Sequence, residues 1–400
     1  MKIVNMQGVH LMNNLDLLMN DINKKFKENI VVKGTSIIYS ERIPFSSPRA
    51  NYLLYGGIPV GKAVEFFGSE GGGKTTTALD CVGQAQKKAL REYNEALDSM
   101  ETELDELQAK NNKSDQKRIQ QLQQDIDNIE EQGPKKAVYV DAENTLDEDW
   151  ARLNGVDVDN LYLIRPQNQT AEQILQMVLD IIKSGDVCIV VVDSIPMLIP
   201  QQLYEETLEK KAYCGVAGTM AQFSARVSPL LNKYKVALIM INQVREDIEN
   251  PYNLYKTSGG RALKHLYAVR ILFRKGVFIT EDNQELANNK ATEPAGNLIN
   301  MDIAKTKICR PDRRMGFYTL KYKTGIDVLA DTVDLAIKYD IIRQSGAWFN
   351  ILDIETGEIM CDENDEPLKF QGRPKLLEYL RSEPIVFNDI AKQVNKVISE

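Results

Sequence analysis

The 400-residue chain has no Cys-x-x-Cys pair and no excess of positive charge. Its longest apolar runs, such as Cys188 to Val192, fall far short of the roughly 18 residues a membrane-spanning helix needs, so no membrane segment is expected. The five cysteines (Cys81, Cys188, Cys214, Cys309, Cys361) are scattered and odd in number, which excludes a disulfide framework or zinc ribbon and fits a reducing, cytoplasmic compartment. Residues Met1 to Asn20 lack a compact apolar stretch with a small-residue cleavage site, so secretion is not expected. Lys plus Arg is 49 against 57 Asp plus Glu, a net charge of -8, so any nucleic-acid binding must use a local patch. The balance of 43% hydrophobic and 26% charged residues is that of a globular protein large enough for one big domain with appendages, or for two to three smaller units.

Residues Leu15, Leu18, Met19, Ile22 and Phe26 fall at helical spacing and predict an N-terminal helix that packs on another surface. Apolar bursts of strand length follow at Ala63 to Phe67, Ala137 to Val140, Leu161 to Ile164, Val187 to Val192 and Val236 to Ile241, separated by helical patterns. That alternation predicts an α/β fold with a mainly parallel sheet covered on both faces, and ligands at the carboxyl ends of its strands. Between Gln84 and Lys135 the composition shifts to Glu, Asp, Gln, Lys and Leu. Two apolar seams there, broken at Asn111 to Ser114, would meet as Leu107 with Ile119, Leu104 with Leu122, Met100 with Ile126 and Leu97 with Ile129. This predicts an inserted antiparallel coiled-coil hairpin over 85–135, with arms of roughly 30 Å. From residue 326 onward, helical and short strand-like pieces suggest a small α/β domain ending in a helix pair.

The strongest chemical signal is Gly68-Ser69-Glu70-Gly71-Gly72-Gly73-Lys74-Thr75-Thr76, a Gly-x-x-x-x-Gly-Lys-Thr loop between a strand and a helix. Its glycines admit phosphates to backbone N–H groups, Lys74 would reach the β- and γ-phosphates, and the Thr75 hydroxyl would hold magnesium. One strand delivers Asp193, suited to ordering the magnesium shell, although taken alone it reads equally as a helix N-cap. Another delivers Glu143, which could polarise a water for attack on the γ-phosphate or simply form a salt bridge. A third ends in Asn242-Gln243, whose Gln243 could sense the γ-phosphate or cap a strand. The segment after it carries Tyr252 and Tyr255 among basic residues, a pattern suited to stacking on single strands, diluted by Glu246, Asp247 and Glu249.

Over nearly its whole length the chain resembles the bacterial RecA recombinases. The resemblance is carried by Gly61 to Glu65, Val140-Asp141-Ala142-Glu143, Ala151 to Leu161, Val192-Asp193-Ser194, Ile241 to Arg245, Gly259 to Lys264 and Gly346-Ala347-Trp348. It implies an ATP- and Mg²⁺-dependent ATPase that forms helical filaments on single-stranded DNA and pairs it with homologous duplex DNA. By position, Glu143 would be the catalytic glutamate, Asp193 the Walker B acid and Gln243 the allosteric glutamine. Asp147 and Trp150 would contact adenine, and Lys305 with Lys307 would reach the neighbouring subunit's γ-phosphate. Read without the resemblance, those two lysines are solvated strand charges. The implied DNA loops span roughly 201–213 and 244–258, with Arg226, Arg245, Gly259 and Gly260 near DNA phosphates. Lys210 and Lys211 could serve the first loop, which matches poorly.

Several departures suggest a divergent version such as a bacteriophage encodes. Asn144 stands where a His is usual, Gly72 stands where a Ser is usual, and an acidic C-terminal tail is absent, which implies looser restraint on duplex uptake. The hairpin is also foreign to the common bacterial form and reads either as a solvated ornament or as a docking site for a partner. The expected organisation is an oligomerisation segment over 1–40, an ATPase core over 41–325 and a C-terminal domain over 326–400. A mediator or single-strand-binding protein is a further expected partner. The competing readings are a RecA-fold ring helicase, which predicts rings and an arginine finger in place of Lys305 and Lys307, and an ATP-switched recombination mediator, which predicts little DNA-stimulated turnover.

Overall fold

A computed structural model describes residues 14–27, 30–32, 41–110, 112–205, 216–246, 255–287, 292–353, 356–362 and 365–399. Residues Met1–Ser40 and Glu41–Glu400 form two units. In the first, helix α1 (Asn14–Phe26) buries none of its residues, and Leu15, Leu18 and Phe26 are exposed. Asn23 ties it to the following segment, donating to Val31 O at 2.8 Å and accepting from Val31 N at 2.9 Å.

The second unit is built on a twisted α/β sheet. Strands β1 (Ala63–Gly68), β2 (Lys136–Asp141), β3 (Leu161–Ile164), β4 (Val187–Asp193), β5 (Ala237–Glu246) and β6 (Val269–Ile279) are parallel, in the spatial order β3-β2-β4-β5-β1-β6. The sheet continues antiparallel beyond β6 through β7 (Gly296–Thr306) and β8 (Met315–Lys321). The parallel region was legible because strands buried on both faces are almost wholly apolar. Alternate residues serve opposite faces. Val64, Phe66, Tyr139, Val191 and Ile239 pack on Ala78, Leu79 and Val82 of helix α2 (Lys74–Lys110). Val138, Val140, Val190, Val192 and Leu238 pack on helices α5 (Ala171–Ser184) and α6 (Ala217–Tyr234).

Helix α2 runs without a break for 37 residues, about 55 Å at helical rise, from the end of the glycine-rich loop to the tip of the insertion. The compositional shift near Gln84 therefore marks where the helix leaves the body rather than where a new element starts. Burial is dense up to Ala89, and Leu104 is the one buried residue of α2 beyond it. After the turn, α3 (Gln116–Gln132) packs back, so that Leu104, Leu122 and Ile126 form a small cluster flanked by Leu97, Met100, Leu107 and Ile119. Arg118 closes the far end with a bidentate pair to Glu103 at 2.8 and 2.9 Å. Leu122 is 1% exposed. Leu122→Ala is expected to cost about 2–3 kcal/mol locally. Amide exchange should then quicken along both arms while protection of the sheet stays unchanged; loss of protection throughout the chain would show the arms to be part of the main cooperative unit.

Helices α8 (Val328–Lys338), α9 (Arg373–Ser382) and α10 (Pro384–Ser399) and a three-stranded antiparallel sheet enclose their own core around Val333, Ile342, Leu376 and Val394. This region is tied to the segment before β1. The Ser47 hydroxyl donates to buried Asp331 at 2.6 Å, Arg49 pairs with Asp334, and Arg313 donates to the carbonyls of Tyr52 and Ile398. Among the described residues no helix is long and apolar enough to cross a membrane.

Candidate active site

The carboxyl edge of the parallel strands gathers the residues that the motifs singled out. Gly68 ends β1 at φ 152°, where an added Cβ would lie 2.1 Å from the Phe273 carbonyl oxygen. Gly73 has φ 90°, and a Cβ there would strike Ile299 at 2.8 Å. Only glycine fits these two positions, so the loop closes tightly against β6 and β7. Above Gly71 the space is open. Helix α2 begins at Lys74, so its unpaired first-turn N–H groups and positive dipole end meet that space, a fit for phosphate.

Lys74 is buried and donates from Nζ to Ser69 O at 2.7 Å, and burial pulls its ammonium below the usual lysine value. Thr75 Oγ1 donates to Asp193 Oδ2 at 2.8 Å, and Tyr139 donates to the same oxygen at 2.7 Å. Burial raises the Asp193 carboxyl above its ordinary value, an effect the two hydroxyls oppose. A threonine hydroxyl beside a buried carboxylate at the foot of a phosphate loop is a donor set suited to magnesium. No group of three or more His, Cys, Asp or Glu forms a metal cluster among the described residues, so phosphates and water would complete the ion's shell.

Asp141 pairs in register with Asp193, and Glu143 follows two residues after the end of β2. Its carboxylate accepts from Ser194 Oγ at 2.5 Å and from Gln243 Nε2 at 3.5 Å. Gln243 in turn pairs in register with Gly68, so this amide sits between the start of the phosphate loop and Glu143. Asn144 adopts φ 54°, a left-handed conformation that asparagine tolerates better than most side chains. Asp141 holds this turn by accepting from the N–H groups of Thr145 and Leu146.

Asp147 and Trp150 lie at the start of helix α4 (Glu148–Leu153). The Asp147 carboxylate accepts from Trp150 N at 2.7 Å and caps the helix. The Trp150 indole donates to Thr76 Oγ1 at 3.4 Å, and its ring packs on the main core beside the first turn of α2.

Lys305 and Lys307 stand apart from this cluster. Lys305 pairs in register with Arg270 on β6, and Arg270 pairs with Glu65 on β1. Glu65 precedes Gly68 by three residues, which places Lys305 about 10 Å back along the strands from the loop, with Lys307, whose N–H donates to Ala268 O, farther back still. Lys305 Nζ donates to Lys264 O and Lys307 Nζ to His265 O at 2.9 Å, both near the carboxyl end of helix α7 (Gly260–Leu266). Burial and the neighbouring charges of Lys307 and Arg270 pull the Lys305 ammonium down to about 8.

Of the residues expected near DNA, Gly259 and Gly260 open α7 with φ 93° and 78°, and Gly260 lies against Ala217 at the start of α6. Arg226 is exposed on α6. The Arg245 side chain and most of both expected DNA loops, including Lys210 and Lys211, lie outside the described residues.

Three contributors were missed from sequence. Ser194 orients Glu143, Tyr139 shares Asp193, and Tyr318 meets Thr77, whose hydroxyl donates to the Gly73 carbonyl at 2.7 Å. The position of Ser194 directly after Asp193 was a usable signal. For the two tyrosines there was none, because their roles depend on strand register.

A family model described as the RecA N-terminal domain matches residues 13–128 and 112–327. The chain is 29% identical over 384 residues to Protein RecA of Acholeplasma laidlawii, covering 95% of each chain. It is 29% identical over 348 residues to Protein RecA of Clostridium acetobutylicum, covering 86% of this chain and 83% of that one. With Protein RecA of Chlorobaculum tepidum it shares 28% identity over 390 residues, covering 96% and 92%. Together with the sheet and its phosphate loop, these matches place the chain in the RecA family.

Proposed function

We propose that this protein is a DNA-dependent ATPase that polymerises on single-stranded DNA and catalyses homologous pairing and strand exchange. One observation carries the reading. Glu143, Ser194, Gln243 and the Thr75–Asp193 pair stand together at one edge of the sheet, while Lys305 and Lys307 lie back along the strands, away from that site. Such a site is completed only when a second copy supplies its lysines, so turnover would require the filament.

In this scheme the α2 N-terminus and Lys74 bind the ATP phosphates, and Thr75 with Asp193 would hold magnesium. The bound ion supplies charge neutralisation at the phosphates. Glu143 accepts a proton from the water that attacks the γ-phosphorus in line, as the bond to the bridging oxygen breaks and ADP and phosphate leave. The Gln243 amide moves with the γ-phosphate and shifts the end of β5, from which the second DNA loop departs. Asp147 and Trp150 form the adenine end of the site. DNA is held through phosphates by Arg226, Arg245 and the Gly259–Gly260 turn, and through stacking, so base pairing alone tests homology. Residues 1–40 serve assembly, 41–325 carry the ATPase with its hairpin, and 326–400 form an accessory domain. The direct test is joint-molecule formation between circular single strands and homologous linear duplex. Products that require both ATP and sequence homology support the proposal, and their absence under filament-forming conditions contradicts it.

The lysine at the shared site should leave a pH signature. Lys305 is charged below about pH 8 and neutral above it. DNA-stimulated kcat/KM is therefore expected to fall as pH rises through about 8, since this ratio reports the free enzyme's groups. Lys305→Arg, charged throughout that range, should flatten the limb. An unchanged alkaline limb in Lys305→Arg would assign it to another group.

A further inference from the structure

Strand β1 carries one acid among apolar residues, and that acid is 1% exposed. Burying a carboxylate is costly unless it is paired and hydrogen-bonded, and apolar residues of similar volume often serve stability as well. Glu65 is fully engaged. Oε2 is paired with Arg270, its register neighbour on β6, and Oε1 accepts from Asn242 Nδ2 at 3.0 Å. The Arg270 guanidinium also lies over the Phe67 ring at 4.7 Å and donates to Thr257 Oγ1 at 3.4 Å.

Asn242, which is fully buried, extends the chain of contacts. Besides Glu65, its Nδ2 donates to Ser258 O at 3.0 Å, and its Oδ1 accepts from Ser258 N at 3.3 Å. One amide thus binds the middle of β5 to the backbone that precedes Gly259. Successive strand residues face opposite ways, so fixing Asn242 on one face sets Gln243 on the other, toward Glu143. At its far end the network reaches Arg270, the register partner of Lys305. Backbone adjacency of Asn242 to Gln243 at one end and strand register of Arg270 with Lys305 at the other thus link this network to both residues, across four strands.

We propose that Glu65, Arg270 and Asn242 are positioning residues that couple the γ-phosphate response of Gln243 in one copy to the engagement of Lys305 with the site of its neighbour. The inference rests on the reading of Lys305 as a residue that acts in trans. It assigns the network the cooperativity of turnover along the filament, not the chemical step.

Asn242→Ala and Arg270→Lys, made in the full chain, test it through three readouts: affinity for a fluorescent ATP analogue without DNA, single-strand-stimulated kcat, and the Hill coefficient for ATP. Each variant is expected to bind the analogue like the parent, to lose about 10-fold in stimulated kcat, and to show a Hill coefficient falling toward one. The double variant should lose little more than either single variant, as members of one coupled unit do. Parent-like stimulation and cooperativity in both variants would overturn the inference. So would analogue affinity that falls in step with turnover, which is the pattern of a purely structural role. Parent protein indifferent to DNA would instead remove the functional reading beneath it.

Discussion

Glu143→Gln is expected to lower ATP turnover about 10²- to 10⁴-fold, the range over which a positioned general base contributes. ATP binding and filament assembly on single-stranded DNA should survive. The substitution is nearly isosteric and leaves an amide that still accepts from Ser194 at the oxygen that now receives the hydroxyl at 2.5 Å. The phosphate contacts come from other elements, Lys74 and the first turn of α2, and the Thr75–Asp193 pair is untouched. The variant should therefore hold ATP and remain on DNA, with dissociation slowed because hydrolysis no longer releases it. A fluorescent-analogue titration alongside steady-state phosphate release separates binding from chemistry. Turnover within about threefold of the parent would remove Glu143 from the mechanism, since a positioned general base typically contributes about 10²-fold or more.

A loss of similar or greater size is expected from Lys305→Ala combined with Lys307→Ala. Cationic residues supplied in trans to a transferring phosphoryl group are worth about 10³- to 10⁵-fold. These lysines make no contribution to their own phosphate loop; their ammonium groups rest on the carbonyls of Lys264 and His265. The test is complementation. Glu143→Gln subunits carry intact lysines, and the double-lysine variant carries an intact Glu143. Mixed on one DNA strand, the two inactive proteins should regain turnover at junctions where a lysine-bearing copy faces an intact site. Mixtures that stay inactive over all ratios, with filaments present, would show that the lysines do not act across the interface.

How much of this was legible beforehand follows from burial and register. Parallel strands covered on both faces are almost wholly apolar, so Ala63 to Phe67 and Val187 to Val192 announced themselves, and the polar residues after them marked the functional edge. The strands beyond β1 in the sheet were not foreseen, because β6 and β7 mix buried with partly exposed residues and carry Arg270, Arg274 and Lys305 within them. The insertion was expected as a unit of its own. Its first arm is instead the phosphate-loop helix prolonged, since no proline falls between Lys74 and Lys110, the single Gly83 is held in the helix where it packs against Gly155, and composition changes only because burial ends. Trp150 shows a different limit. The resemblance implied that Trp150 contacts adenine, with packing in the core as the alternative; the indole is committed to Thr76 and the core, a contact that the sequence alone does not specify. Glu65 was visible as a lone acid in an apolar strand, but its partners became identifiable only once β1, β5 and β6 were aligned.

The most direct test of the central claim is ATP hydrolysis by the full chain with and without single-stranded DNA, paired with negative-stain images of the same samples in a non-hydrolysable ATP analogue. A site completed between neighbouring copies predicts turnover that is slow alone, strongly stimulated by DNA, and accompanied by helical filaments. Turnover indifferent to DNA, with rings or no assemblies, would contradict the account.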